Sequence, residues 1–307
     1  MKTISWNCRW LGNLNAVRTL QRLTTTEDPE IVFLMETRRK ASEIRRTGTN
    51  MGYRNILAVD CRGEGKARGG GLAMFWKEDT NLEIISYSLN HILEKLVDVE
   101  NNTTFITGFY GFPEEQNKKR SWDLLIQLKA EVNGHWICFG DLNAITSNSK
   151  KKRRGGVDKT VEQLDSFIQC LNQCGLVDLG YLGQSYTWCN GRQDEANIQE
   201  RLDKGVATQS LIDEWPTTTV RHMHRHESDH SPLLIHVSRQ QHEDNRKKKR
   251  VFRFKEHLTR DHNMAYHLKD AWTQGGEGFE CKLERVKETI TAIGTEYGSI
   301  KKRIADT

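Results

Sequence analysis

Apolar runs of strand length recur through the first 237 residues, and several of them stop abruptly on a polar or acidic side chain. Four to eight apolar, β-branched and aromatic residues between turn formers are buried most readily as strands. Such runs fall at Thr3–Asn7, Ile31–Glu36, Gly71–Trp76, Leu82–Ser88, Thr104–Gly111, Trp136–Asn143 and Leu233–Val237. Helical spacing intervenes in places. Arg120–Val132 sets Trp122, Leu125, Ile126 and Leu128 near one face, and Val161–Cys174 does the same with Leu164, Phe167, Ile168 and Leu171. So many strands with so few helices are too strand-rich for a plain doubly wound sheet. The pattern predicts two packed sheets with helices outside, an α+β or layered sandwich arrangement.

After Val237 the character changes. A domain at 1–238 is followed by a basic, polar linker at 239–255, which opens on SRQQHEDNRKKKR at 238–250. A helical extension at 256–307 comes next, with helices expected at Glu256–Trp272 and Phe279–Ile304 around the turn Gly275–Gly278. Residues 239–307 carry 16 Lys/Arg against 11 Asp/Glu, which is the whole net charge of +5, because 1–238 holds 30 of each. One further basic cluster, Lys150–Arg154, reads as a loop suited to a polyanion or an import receptor, or simply as a solvated surface. With 36% hydrophobic and 28% charged residues, global disorder is excluded. No apolar run reaches membrane-spanning length and the N-terminus carries no secretory pattern, so a soluble intracellular protein is expected. The seven cysteines form no C-x-x-C pair and read as reduced thiols.

The chemistry lies where the apolar runs stop. Ile4–Ser5–Trp6 ends in Asn7, Ile31–Met35 in Glu36, and Ile137–Gly140 in Asp141–Leu142–Asn143. A carboxylate placed directly after buried residues is costly unless a cation or strong hydrogen bonds compensate it. Any one of these reads equally well as a strand meeting solvent. Three of them, with Ser228–Asp229–His230 just before Leu233–Val237, favour a ligand site along one rim of a sheet. The donors are oxygens and amides with one histidine, a hard-cation set that suits Mg²⁺ or Mn²⁺ rather than zinc. The same set suits phosphodiester hydrolysis, in which a metal neutralises charge, a carboxylate activates water and a histidine polarises the phosphoryl oxygen. His222, His224 and His226 alternate, so a strand places all three on one face; beside Arg221 and Arg225 they read as a basic approach to DNA before a zinc site.

Six strings in order across 1–237 resemble the endonuclease/exonuclease/phosphatase superfamily. They are Ser5–Trp6–Asn7–Cys8–Arg9, Met35–Glu36–Thr37, Gly108–Phe109–Tyr110–Gly111, Gly140–Asp141–Leu142–Asn143, Arg201–Leu202–Asp203 and Ser228–Asp229–His230. Within it, Gly69–Gly70–Gly71–Leu72–Ala73, Tyr186–Thr187–Trp188 and Asn190–Gly191 are similar to the endonuclease domain of plant non-LTR retrotransposons, itself similar to apurinic/apyrimidinic endonucleases. The resemblance implies a four-layer α/β sandwich, two packed mixed sheets flanked by helices, with a C-terminal helical appendage leading toward a reverse transcriptase that this chain does not contain.

The resemblance also implies roles. Glu36 becomes the principal metal ligand with Asn7 beside it, and Asp141, Asn143, Asp229 and His230 complete the metal-proximal set. Asp141 orients or deprotonates water, Asn143 holds the scissile phosphate or a second metal position, and Tyr110 contacts phosphate. His230 stabilises the transition state, held by Asp203. On residue type alone, Asp203 reads as a surface carboxylate and Tyr110 as a strand-end aromatic. Lys151, Lys152, Arg153 and Trp188 are the nucleic-acid contacts. Trp10 stands where the retrotransposon enzymes have glycine, so crowding of the metal or a changed backbone angle is expected there. The implied activity is Mg²⁺-dependent nicking of DNA that leaves a 3′-hydroxyl. Alternatives are a phosphatase or phosphodiesterase on small phosphorylated substrates, and a silent nucleic-acid-binding relic. DNA is the expected partner of a monomer with no membrane and no fixed protein partner, in the nucleus or else the cytoplasm.

Overall fold

Every residue of the strand Ile31–Met35 is buried, so both its faces must be covered. Ile31, Phe33 and Met35 face one core, and Val32 and Leu34 face another. The computed structural model describes residues 1–65, 68–98, 101–153, 158–193, 196–238 and 264–274, with positions 282, 285, 286, 288 and 289. They fall in two units, Met1–Gln241 and His242–Thr307.

In chain order the first unit runs β1 (Lys2–Asn7), α1 (Leu14–Glu27), β2 (Ile31–Met35), α2 (Ala41–Asn50), β3 (Asn55–Val59), β4 (Leu72–Trp76), β5 (Leu82–Tyr87), β6 (His91–Val97), β7 (Thr103–Tyr110), α3 (Lys118–Glu131) and β8 (His135–Asp141). It continues with β9 (Lys151–Arg153), α4 (Val161–Cys174), β10 (Leu176–Asp178), β11 (Leu182–Gly183), β12 (Trp188–Cys189), β13 (Ile198–Glu200), β14 (Asp203–Thr208), α5 (Gln209–Glu214), β15 (Thr219–His222) and β16 (Leu233–His236).

Two large mixed sheets result, in the orders β11-β15-β16-β1-β2-β4-β3 and β10-β14-β8-β7-β6-β5. The first contains two parallel pairs, β1 with β2 across α1 and β11 with β15, and the second contains one, β7 with β8 across α3. Phe33, Met35, Leu72 and Met74 meet Ile92, Ile106, Ile137 and Phe139 between the sheets. Leu20 of α1 and Ile44 of α2 cover the outer face of the first sheet with Trp6 and Phe75. Trp122, Leu125 and Leu128 of α3 and Phe167 and Leu171 of α4 cover the second, over Phe109 and Trp136. These are the four layers.

Local chemistry sets the helix ends. On α4 the Thr160 hydroxyl accepts from the Gln163 N–H while the Gln163 side chain accepts from the Thr160 N–H, and Gly175 closes the helix at φ 66°. A small third sheet, β12-β13-β9, includes the basic cluster. Residues 151–153 are therefore a strand and not a loop, because their backbone pairs with Ile198–Glu200.

The three alternating histidines do not share a strand. β15 ends at His222, which is buried, stacks on Tyr181 at 4.6 Å and donates from Nδ1 to the Gln184 carbonyl; His224 and His226 lie beyond the strand, exposed. In the second unit α6 (Met264–Gln274) is the described part of the helix expected at 256–272. The linker at 239–255 and most of 279–304 lie outside the described residues. Among the described residues no helix is long and apolar enough to cross a membrane, and Cys8, Cys61, Cys138, Cys170, Cys174 and Cys189 are free thiols.

Candidate active site

Parallel strands present their C-termini to a rim, and antiparallel neighbours present their N-termini to the same rim. β1 and β2 pair so that Asn7 lies opposite Met35, and β7 and β8 pair so that Tyr110 lies opposite Asp141. β14 runs antiparallel to β8 and starts with Asp203 opposite Asp141; β16 runs antiparallel to β1, so the loop holding His230 arrives beside Asn7. Topology therefore gathers Asn7, Glu36, Tyr110, Asp141, Asp203 and His230 from six strands. Close sheet packing adds a backbone constraint. Gly140 sits at φ 141°, and a Cβ there would come within 2.0 Å of the Phe109 carbonyl oxygen, so only glycine delivers Asp141 at this strand end.

His230 lies between two carboxylates. Its Nδ1 donates to Asp203 at 2.8 Å and its Nε2 lies 3.7 Å from Asp141. Burial alone lowers its pKa, but the charges of Asp203 and Asp141 outweigh that and raise it to about 10. Burial pushes Asp141 up to about 6 against the pull of His230. Asp203 is buried, unlike the surface carboxylate its residue type alone implies. The Thr187 hydroxyl accepts from the Leu202 and Asp203 N–H groups, which fixes the start of β14. Behind it the buried Lys204 donates to the carbonyls of Ala144, Arg201 and Leu202, and burial lowers its pKa to about 7.

Glu36 forms the opposite wall. It accepts from the Tyr110 hydroxyl and Arg38, each at 2.8 Å, and from the Asn7 amide at 3.4 Å. Burial raises its pKa, yet these hydrogen bonds and the Arg38 charge together hold it below the usual carboxylate range. Tyr110 is buried in the core, as a strand-end aromatic, and its hydroxyl is bonded to Glu36. Asn7 also donates to Asp141 at 2.9 Å and so bridges the two walls. Arg9, Glu36 and Asn143 all sit at φ between 50° and 54°, left-handed conformations that concentrate strain at the rim.

A divalent cation fits this donor set. Glu36, Asp141 and Asp229 supply hard oxygens, and Oδ1 of Asp229 is buried without a hydrogen-bond partner. The other Asp229 oxygen accepts from Arg9 and from the Trp188 indole at 3.0 Å. Asn143 donates from its backbone to Asp141 at 3.0 Å and from its amide to the Gly111 carbonyl at 2.9 Å.

A cavity of about 330 Å³ opens over these groups, its lining including Glu36, Asp141, Asn143, Asp229, His230 and Trp188. Tyr110 reaches a neighbouring cavity of about 410 Å³ together with Arg62 and Arg120. Trp188 thus lines the same cavity as Asp141 and His230. Lys151, Lys152 and Arg153 are placed by backbone, Lys151 opposite the cavity residue Glu200; their side chains lie outside the described part. Trp10 does not crowd the site: its ring lies against Gly12, it is half exposed, and the left-handed angle falls on Arg9 instead. Sequence reasoning passed over Lys118, Thr187 and Asn90. Asn90 clamps the Tyr110 backbone with two hydrogen bonds of 2.7 Å. Lys118 lines the cavity and donates to the Asn143 carbonyl; burial brings its pKa down to about 8. Thr187 was quoted in a motif, but nothing in residue type marks the other two.

Solved structures share this fold. The endonuclease domain of TRAS1, a telomere-specific non-LTR retrotransposon, superposes with a TM-score of 0.57 at 15% identity over 78% of this chain and 99% of its own. The 3′ phosphatase NExo from Neisseria, bound to a product DNA hairpin, gives 0.57 at 16% over 78% and 99%. An AP endonuclease from Archaeoglobus fulgidus gives 0.57 at 16% over 77% and 99%. No curated protein matches the chain in sequence. Residues 4–194 match the model of the Endonuclease/Exonuclease/phosphatase family, and with this rim of carboxylates, amides and histidine beside them the chain belongs to that family and is a hydrolase.

Proposed function

We propose that the protein is a Mg²⁺-dependent endonuclease, derived from a non-LTR retrotransposon, that nicks DNA and leaves a 3′-hydroxyl. The observation that carries this reading is His230, held cationic between Asp203 and Asp141 and facing the same cavity as the ionised Glu36. Glu36, with Asn7 and Asp229 beside it, would hold the Mg²⁺ ion, which when bound supplies positive charge to the phosphoryl oxygens. Asp141 takes a proton from the attacking water, whose oxygen bonds to phosphorus. The P–O3′ bond breaks, O3′ leaves and is protonated, and the water oxygen stays on the 5′-phosphate. His230 donates to a non-bridging oxygen as charge builds there. Asn143 and Tyr110 orient the phosphate.

DNA is favoured over a small substrate by two supports. Structures of this fold include a retrotransposon endonuclease, an AP endonuclease and an enzyme with a DNA product. The basic strand β9 is also joined by its backbone to the cavity residue Glu200 through β13. The deciding experiment incubates supercoiled plasmid with the full chain and Mg²⁺, with chelator and Glu36→Gln as controls. Open circles that a DNA polymerase extends are expected from the parent alone. Phosphate release from inositol phosphates without nicking would establish the small-substrate reading, and DNA binding without cleavage the relic.

A further inference from the structure

Besides His230, four basic side chains among the described residues line the cavity: Arg9, Arg38, Lys118 and Lys159. Three have a carboxylate of their own. Arg9 pairs with Asp229, Arg38 with Glu36 at 2.8 Å and Lys159 with Glu115 at 2.8 Å. Lys118 has none among the described residues. Its ammonium donates to the backbone carbonyl of Asn143, which leaves two of its three N–H donors without a protein acceptor among those residues. The position is also unfavourable for a cation. Lys118 opens α3, whose first turn has no acidic side chain, so the charge sits at the positive end of the helix dipole. Lys159 lies on the same cavity wall and repels it, while Asp141 attracts it more strongly from beyond ion-pair distance. A partly buried ammonium with two open donors is stabilised by an anion that reaches them.

We propose that Lys118 binds the phosphoryl group under attack, donating to one of its non-bridging oxygens, and so is a further catalytic residue of this site. The inference rests on the reading of the cavity as a phosphodiesterase site and names the side chain that receives the substrate charge. Asp141 and His230 line the same cavity, and Asn143, which Lys118 holds by its carbonyl, is hydrogen-bonded to Asp141. The lysine therefore stands near the water-activating Asp141 and feels its charge, yet forms no ion pair with a carboxylate among the described residues. A lysine is suited to this task because a compact ammonium presents charge to tetrahedral oxygens without the planar match that arginine requires.

The test compares the full-length parent with Lys118→Met and Lys118→Arg on two substrates. Bis(p-nitrophenyl) phosphate carries one phosphate only, and supercoiled plasmid carries many. Lys118→Met should lower kcat/KM by about tenfold to a hundredfold on both, and Lys118→Arg should recover part of the loss. Calorimetry with inorganic phosphate should show binding weakened by roughly tenfold or more in Lys118→Met at an unchanged Tm. A loss confined to plasmid would place the lysine on a neighbouring phosphate and overturn the proposal. Parent-like rates on both substrates, or parent-like phosphate binding in a destabilised variant, would overturn it too. A parent that cleaves neither substrate would refute the phosphodiesterase reading, while the phosphate titration would still decide the contact at Lys118.

Discussion

His230 and Glu94 show two opposite solutions to the burial of a titratable side chain. His230 is compensated by Asp203 at 2.8 Å and Asp141 at 3.7 Å. A donor aimed at charge that exists only in the transition state lowers the barrier without tightening ground-state binding. His230→Ala should therefore reduce turnover by roughly 10²-fold or more and leave DNA affinity nearly unchanged, as single-turnover rates and filter binding will read. Asp203→Asn should lose less, and the double variant less than the two losses combined. Weakened binding with intact turnover would make His230 a ground-state contact. Glu94 has no compensating partner among the described residues: it is fully buried opposite Ile106, and both its oxygens lack hydrogen bonds there. Burial holds its pKa well above the usual carboxylate range. The folded state thus keeps a proton that the unfolded chain releases above about pH 4.5, so stability falls as pH rises from there toward the folded pKa. Glu94→Met should gain about 1–3 kcal/mol near neutrality, with the gap narrowing toward pH 4.5, and parallel Tm curves for the two proteins would refute this. Abrupt strand ends made Glu36 and Asp141 legible in the sequence. Asp203 was reached only through the Arg201–Leu202–Asp203 resemblance and Glu94 not at all, because pairing partners fix their burial and no adjacent residue does.

The elements divide along the same physical line. Strands buried on both faces, such as β2 and β8, are continuous apolar runs and can be read directly. β14, Asp203–Thr208, is as fully buried but contains Asp203, Lys204 and Gly205, so only tertiary hydrogen bonds make it a central strand. α1 and α2 escaped notice for a related reason. Their sequences are rich in Thr, Arg and Asn, and each holds a narrow apolar stripe, Leu20 with Leu23 and Ile44 with Gly48, that becomes helical by packing on the sheet. The loop from β11 to β14 is organised by one buried side chain, Thr187. Its hydroxyl accepts from Leu202 and Asp203, its N–H donates to the Glu200 carbonyl, and its own carbonyl accepts from Ser231 beside His230. Thr187→Val keeps the shape and removes the acceptor, leaving two buried N–H groups unpaired at about 1–3 kcal/mol each. Both Tm and kcat should fall, and Thr187→Ser should restore both. A Thr187→Val protein with parent-like kcat would show that β14 holds Asp203 without this hydroxyl.

At the scale of the whole molecule, charge is distributed unlike chemistry. Residues 1–238 carry the site and no net charge, while 239–307 carry the entire excess of five, with Arg246–Arg250 a run of five cations. A neutral catalytic unit gains little long-range attraction for a polyanion, so the affinity for DNA should reside in its local basic segments. Two are available, Lys151–Arg153 on β9 and Arg246–Arg250. Each phosphate contact releases condensed counterions and contributes about −0.9 to the slope of log affinity against log salt on duplex DNA. If all five cations of Arg246–Arg250 engage phosphates, replacing them with glutamine should flatten the slope by roughly 4 to 5 units. Replacing Lys151, Lys152 and Arg153 should flatten it by about 2 to 3 units. Neither change should alter hydrolysis of a small diester, whose single phosphate meets only the cavity. The two losses should add if the segments, about 95 residues apart in sequence, engage separate phosphates. Slopes measured from about 50 to 200 mM salt on one duplex will decide it. A slope unchanged in the Lys151–Lys152–Arg153 variant would leave β9 a solvated strand, and the charge-dependent part of the affinity would then fall to Arg246–Arg250 and to the cavities beside Glu36 and His230.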